Sequence, residues 1–324
     1  MKKALITGMA GQDGSNLADY LLELGTYEVH GIVRRNSTPE HQESRLDHVG
    51  DKIHTYYGDV LDQSSLERIL EIVKPDEIYH LAAQSHVRIS FDIPQFTAQT
   101  NALGTLNLLE AIRRICPDVK IYFASSSEQF GNTVDADGFQ RETTPMFPCS
   151  PYGASKLFGY AICNNYKQSY GMKIYIGILF NHEGPRRGSN FVTSKVVKAA
   201  VCIKLGLQSS LELGNVDSKR DWGDSRDYVR AMHLMMQQEK PDIWVVSTME
   251  THSVRDLCEY VFGKLGMDYK DYVVQNPKFF RPDELEYLKG DSTKIRTELG
   301  WKPTYTFERM LDEMIESWVK HYEK

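Results

Sequence analysis

The sequence predicts an α/β fold, a doubly wound parallel sheet with helices on both faces and a smaller mixed α/β lobe toward the C-terminal end. Three observations predict it. Short apolar runs alternate with helix-period stretches through residues 1–180, the rhythm of successive β-α-β units. A glycine-rich turn closes the first of these runs. Beyond residue 181 the rhythm breaks into loops rich in Gly, Arg and Asp.

Taken in order, strands are expected at residues 3–7, 28–33, 53–57, 77–81, 120–125 and 173–180. Helices are expected at 15–24, 64–73, 98–115 and 152–169, where apolar residues recur three and four apart. Such sheets bind ligands at the carboxyl ends of their strands. Further on, loops at 181–190 and 214–224 separate helices at 191–205 and 225–238. A strand at 242–246 is expected to rejoin the main sheet, and residues 307–321 read as a surface helix.

Composition narrows the function classes. A net charge of −6 speaks against a general nucleic-acid binder. No apolar run reaches the roughly 18 residues of a membrane span, so no membrane partner is expected. The N-terminal apolar run stops at Ile6, and Gly11, Gln12 and Asp13 are wrong for the core of a signal peptide. The five cysteines are widely spaced and odd in number, with no Cys-x-x-Cys. They read as free thiols in a reducing cytosol, so a cytoplasmic protein without a metal site is expected.

"ITGMAGQDG" carries Gly8, Gly11 and Gly14 from strand into helix at three-residue spacing. Glycines there permit a tight turn and let the backbone approach a pyrophosphate at the helix N-terminus, the mark of a Rossmann-type dinucleotide site. A cofactor without a 2′-phosphate would meet Asp or Glu at the end of the second strand. This chain has Arg34 and Arg35 instead, which suit a 2′-phosphate, so NADP is expected rather than NAD. A solvated pair or a subunit contact is the plain alternative. Asp59, where the third strand ends, could take the adenine amino group or serve only as a turn residue.

Two stretches look like halves of one active site, "FASSSEQFG" at 123–131 and "SPYGASK" at 150–156. Tyr152 and Lys156 are four apart and share a helix face. A phenol has a pKa of about 10, and a nearby ammonium with an oxidised nicotinamide ring is expected to favour the phenolate. Lowering it by about three units requires about 4 kcal/mol. Tyr260 and Lys264 repeat the spacing but lack the serine-ended strand before them, and no role is expected there. A hydroxyl among Ser125, Ser126 and Ser127 could bond the substrate oxygen that Tyr152 deprotonates. Glu128 is a second acid/base beside the first, which suggests a second proton transfer. Its plain alternative is a cap or surface carboxylate.

Together these residues resemble the extended short-chain dehydrogenase/reductase superfamily, and within it the GDP-mannose 4,6-dehydratase family. The likeness spans nearly the whole chain. It rests most narrowly on the Gly-Gln-Asp-Gly turn, "NHEGPRRG" at 181–188 and "RDWGDSRDYV" at 220–229. The resemblance implies an NADP-dependent internal redox dehydration of GDP-mannose to its 4-keto-6-deoxy product. Tyr152 takes the 4-hydroxyl proton, hydride leaves C4, Glu128 removes the C5 proton as the C6 hydroxyl departs, and hydride returns to C6.

By resemblance, Ser126, Glu128, Tyr152 and Lys156 are catalytic. Gly8, Gly11, Gln12, Asp13, Gly14, Arg34, Arg35, Asp59, Val60, Leu81, Ala83, Tyr152, Lys156, His182 and Arg187 meet the cofactor. Ser85, Ser126, Glu128, Asn181, Val192, Lys195, Arg220 and Arg281 meet the substrate. The chain departs from the family where Ser126 replaces the usual Thr and Gly184 the usual Ser. Ser127 stands where related dTDP- and UDP-sugar dehydratases carry Asp, so Glu128 is left to serve both C5 and the leaving hydroxyl.

The alternatives are a GDP-manno-heptose 4,6-dehydratase, or a 4-keto-sugar reductase or epimerase on the same scaffold. Neither a reductase nor an epimerase needs a C5 base. From another class, a catalytically dead NADP-binding module is opposed by the joint presence of Tyr152, Lys156 and Glu128. The expected division is 1–180 as the NADP-binding domain with the catalytic residues and 181–324 as a mainly substrate-binding lobe, with about 225–250 rejoining the first. A homodimer or homotetramer is implied, the dimer helices at 98–115 and 152–169, with the segment from Arg35 to Thr38 reaching a neighbour's cofactor site.

Overall fold

The computed structural model describes residues 1–35, 44–280, 283 and 285–323. Seven parallel strands make the main sheet: β1 (Lys2–Thr7), β2 (Tyr27–Val33), β3 (Ile53–Tyr57), β4 (Glu77–His80), β5 (Lys120–Ser126), β6 (Lys173–Leu179) and β7 (Ile243–Val246). Their order is β7-β6-β5-β4-β1-β2-β3, so the winding reverses between β1 and β4. A crevice outside the carboxyl ends at such a reversal is where doubly wound sheets bind ligands.

The strands are apolar on both faces because both faces are covered. In β1, Ala4 and Ile6 enter one apolar cluster with Leu17 and Leu21 of α1 (Gln12–Glu23). Leu5, between them, enters a second with Leu66 and Ile69 of α2 (Gln63–Val73) and Leu108 and Ile112 of α3 (Gly104–Ile115). Helix α4 (Pro151–Tyr170) has a well-specified start. Ser150 accepts the Gly153 N–H at 3.0 Å, and Pro151 opens the first turn, where no backbone donor is needed.

The helix expected at 98–115 is interrupted. A short helix at Pro94–Ala98 runs through a π-turn at Gln99–Leu103 into α3. The extra residue turns Asn101 inward, where its amide accepts the Gln84 N–H at 2.8 Å and donates to Gln84 O at 2.9 Å and Ser155 Oγ at 3.0 Å. That side chain ties the loop after β4 to α4, at a kink of the kind π-turns often place near sites.

The rest of the chain holds α5 (Val192–Lys204), α6 (Ser225–Met236), α7 (Val254–Lys264), α8 (Thr293–Leu299) and α9 (Phe307–Tyr322). Two segments expected as loops pair with each other: Asn181–Glu183 lies parallel to Trp222–Asp224, with Asn181 opposite Trp222 and His182 opposite Gly223. A separate apolar cluster joins Val196 and Val197 of α5, Leu257 and Phe262 of α7, and Met310, Leu311 and Met314 of α9. The expected surface helix thus buries one face against this cluster. α6, β7 and Ile295 of α8 pack with β1 and α1 instead. Trp301 Nε1–H donates to Asp227 O at 2.8 Å, pinning the chain after α8 to α6.

Candidate active site

A cavity of about 620 Å³ opens at the carboxyl ends of β1, β4 and β5. Its lining runs from the glycine turn, past the serines and α4, to Lys195, Arg220 and Phe279.

The glycine turn depends on its glycines. Gly8 takes φ +73°, and a Cβ there would meet Ala82 Cα at 2.9 Å. A Cβ at Gly14 would meet Met9 Cα at 2.6 Å. Gly11 N–H closes the turn on Gly8 O at 3.0 Å. Thr7 Oγ1 accepts the N–H groups of Leu81 and Ala82, both at 3.1 Å, and so fixes the end of β4 against the end of β1. Gly8, Gly11, Gln12, Asp13, Gly14, Asp59, Val60, Leu81 and Ala83 all line the cavity. Asp59 is also engaged locally, since its Oδ1 accepts the Leu61 N–H at 2.9 Å. Arg34 lines the cavity, whereas the exposed Arg35 is outside the lining.

The turn is tied to the Asn181–Glu183 strand. Gln12 Nε2–H donates to His182 O at 3.0 Å and to Asp13 Oδ1 at 3.1 Å. His182 Nδ1 lies 2.7 Å from Phe180 O and its Nε2 lies 2.8 Å from Asp13 Oδ2. Both ring nitrogens face acceptors, a setting that favours the doubly protonated ring. Burial alone would depress the His182 pKa, but the Asp13 charge and hydrogen bond override it and the value is raised. For Asp13, burial pushes up, while the His182 charge and hydrogen bond, with Arg187 and Gln12, hold the carboxyl below its usual value.

The serine run separates by role. Ser125 Oγ–H donates to Gln129 Oε1 at 2.7 Å and is committed to the turn. Ser126 Oγ caps that turn, accepting the Glu128 N–H at 3.3 Å, and lines the cavity with Ser127 and Glu128. Glu128 is a buried carboxylate, 5% exposed. Tyr152 and Lys156 line the same cavity from the first turns of α4. Lys156 Nζ–H donates to Ala124 O at 2.9 Å, and burial pulls its pKa down to about 8.

Among the protein's own groups, burial governs the phenol. Burial pushes Tyr152 up to about 12; the hydrogen bond with Ser126 and the Arg187 charge work downward, while the Glu128 and Asp13 charges work upward. Desolvation of a phenolate outweighs these neighbours, and the cation acting on the phenol is Arg187 rather than Lys156. The repeat of the spacing at Tyr260 and Lys264 is structural. Both side chains bond Asp312 of α9, each at 2.9 Å.

Ser85, Asn181, Val192, Lys195 and Arg220 line the cavity beside His182 and Arg187. Lys195 Nζ lies 4.1 Å from the centre of the Phe279 ring. Arg281 lies outside the described residues. Sequence reasoning missed Glu183, a buried carboxylate whose Oε2 is 2.8 Å from Arg187 Nε and which accepts the Thr193 hydroxyl. The four-residue spacing from Glu183 to Arg187 was the available signal. Gly184 adopts φ +152°, a backbone that disfavours side chains, although a Cβ would have room 3.5 Å from Ser225 Oγ.

The profile of the family described as GDP-mannose 4,6 dehydratase matches residues 5–314. The chain belongs to the GDP-mannose 4,6-dehydratase family. GDP-mannose 4,6 dehydratase 1 of Arabidopsis thaliana is 49% identical, over 97% of this chain and 89% of its own length. Among solved structures, the UDP-glucose 4-epimerase of Thermotoga maritima with UDP-glucose superposes with a TM-score of 0.87 at 27% identity, covering 99% of each chain. RMD from Pseudomonas aeruginosa complexed with NADPH superposes at 0.82 with 25% identity, covering 99% of this chain and 100% of that one. The chain is therefore an enzyme on the extended short-chain dehydrogenase/reductase fold, and its reaction is the dehydration of GDP-mannose to the 4-keto-6-deoxy sugar nucleotide.

Proposed function

We propose that Tyr152, Ser126, Glu128 and Lys156 carry this dehydration with NADP held on the glycine turn. One observation carries the reading: a buried phenol and a buried carboxylate line one cavity, with Ser126 hydrogen-bonded to the phenol and to the backbone N–H of Glu128. That pair offers two separate proton transfers, and an internal dehydration needs both. The residues fit a dinucleotide, since Cβ atoms at Gly8 and Gly14 would close the turn and the first-turn N–H groups of α1 favour an anion. The NADPH of the Pseudomonas neighbour and the Arg34 side chain in the lining favour the phosphorylated cofactor.

NADP, held on the glycine turn with Arg34 beside it, would supply a reversible hydride acceptor for C4 and C6 and, in its oxidised form, added positive charge. Tyr152 takes the O4 proton while Ser126 holds O4. Arg187 and the added charge offset the burial that keeps the phenol near 12. Lys156, fixed by Ala124 O, sits one helical turn from Tyr152 with further N–H donors for ribose hydroxyls. The new ketone acidifies C5–H. Glu128 removes that proton, the C6–O bond breaks, and Glu128 in its acid form protonates the leaving hydroxide. The O4 proton then replaces the one lost from C5 by way of Tyr152 and solvent, so the sugar loses one water in all.

Asn181, Lys195 and Arg220 are assigned to the diphosphate, as cations and amides suit phosphate oxygens. We divide the work accordingly. Residues 1–180, with about 225–250, hold cofactor and catalysis, and the remainder holds the nucleotide sugar. The packing of α6 and β7 on β1 and α1 supports that division. Assembly through residues 98–115 and 152–169 is supported by exposed apolar side chains at Leu103 and Phe158, with Ile93 and Phe96 just before them. Residues 36–38 of the expected inter-subunit segment lie outside the described residues. A cytoplasmic location is supported by five unpaired cysteines; no described helix is long and apolar enough to cross a membrane.

The test is conversion of GDP-mannose by pure protein with NADP at a small fraction of the substrate, followed by mass spectrometry. Full conversion with loss of one water is expected. Product formation only in step with cofactor consumption would contradict the reading and favour a reductase.

A further inference from the structure

Arg45 spans two segments that shape the cofactor end of the cavity. Its Nε–H donates to Arg186 O at 2.8 Å and its Nη1–H to Ala10 O at 3.2 Å. Ala10 belongs to the glycine turn and lines the cavity, as does Arg187, the neighbour of Arg186. Arg45 itself is outside the lining, at the surface. The Arg186 side chain is held elsewhere: its Nη2 lies 2.6 Å from Asp19 Oδ2 of α1, and His48 Nε2 lies 2.7 Å from Asp19 Oδ1. A planar guanidinium fork holds two carbonyls at a separation that its own rigid nitrogens set.

We infer that Arg45 is a positioning residue that clamps the glycine turn to the 184–187 turn and thereby retains the reduced cofactor between the two hydride transfers. The inference rests on the proposed internal redox mechanism. In that mechanism the reduced cofactor must stay bound until elimination is complete, because each escape strands an oxidised sugar and an enzyme without hydride. Both carbonyls are engaged by Arg45, which lies outside the cavity lining, so the clamp acts on release and not on hydride transfer itself. Two surface hydrogen bonds to carbonyls are worth about tenfold in a dissociation rate.

The experiment is a fluorescence chase of bound NADPH by excess NADP⁺, with stopped-flow absorbance of NADPH formation on mixing with GDP-mannose. Arg45→Ala should release NADPH about tenfold faster while forming it at a rate within twofold of the unsubstituted protein. Arg45→Lys retains charge and N–H donors but on a single flexible nitrogen, and should fall between the two. It decides the matter if Arg45→Ala does not fold. Release at the unsubstituted rate in a folded variant would overturn the clamp, as would a parallel loss of NADPH formation. An unsubstituted protein that shows no bound NADPH to chase would instead contradict the cofactor reading.

Discussion

His182 Nε2 and Asp13 Oδ2 lie 2.8 Å apart, joining the glycine turn to the strand that begins the second half of the chain. A carboxylate in the first turn of α1 would repel an anion at that helix N-terminus if left alone, and a protonated His182 would offset its charge. The Tyr228 ring, stacked 4.5 Å from the His182 ring, covers the pair.

This pair should give stability a defined pH dependence. The raised His182 pKa contributes stability that is complete below the ordinary imidazole value of about 6.5 and fades as pH rises through the elevated one. The lowered Asp13 pKa contributes above the ordinary carboxylate value of about 4 and fades as pH falls through the depressed one. The pair therefore helps most between about pH 4 and 6.5. His182→Leu should cost about 2 kcal/mol in urea unfolding at pH 6 and remove this alkaline decline. Asp13→Asn in the same chain should recover part of the loss. An unchanged decline in His182→Leu would assign it to another group.

Arg34 should set the choice of cofactor. Arg34 is in the cavity lining and Arg35 is not, so Arg34→Ala alone should weaken NADP by about ten- to a hundredfold. NAD binding should change little. Titration calorimetry with both cofactors checks this, and equal losses would return the pair to a structural role.

Assembly should respond to a charge on the exposed apolar face. Leu103→Glu should shift light scattering at micromolar concentration from a dimer or larger species toward the monomer, without loss of helix signal. An unaltered mass would place the interface elsewhere.

Much of this was legible in the sequence because it rests on local rules. β1 reads as a strand from its apolar run, and Gly8, Gly11 and Gly14 announce a turn whose steric need the structure explains. The Tyr152 pair was separable from Tyr260 and Lys264 only by context, and Asp312 supplies the physical difference. Contacts between distant segments were not legible. Three-residue strands such as Asn181–Glu183 carry no periodic signal, and the π-turn around Asn101 exists for a partner at Gln84. Ser125 and Ser126 look alike until Gln129 takes the first. The burial that raises the Tyr152 pKa cannot be read from a four-residue spacing.

The central claim is that Glu128 is the base of the elimination and Tyr152 that of the oxidation. Stopped-flow absorbance at the NADPH band, after mixing GDP-mannose with NADP-loaded Glu128→Gln, tests it most directly. The variant keeps shape and hydrogen bonding but loses the base, so dehydration should fall about 10²- to 10⁴-fold. Oxidation at C4 should survive, and bound NADPH should accumulate. Tyr152→Phe should give no such absorbance. Dehydration by Glu128→Gln at the unsubstituted rate, with no NADPH build-up, would contradict the account and leave Glu128 as a cap.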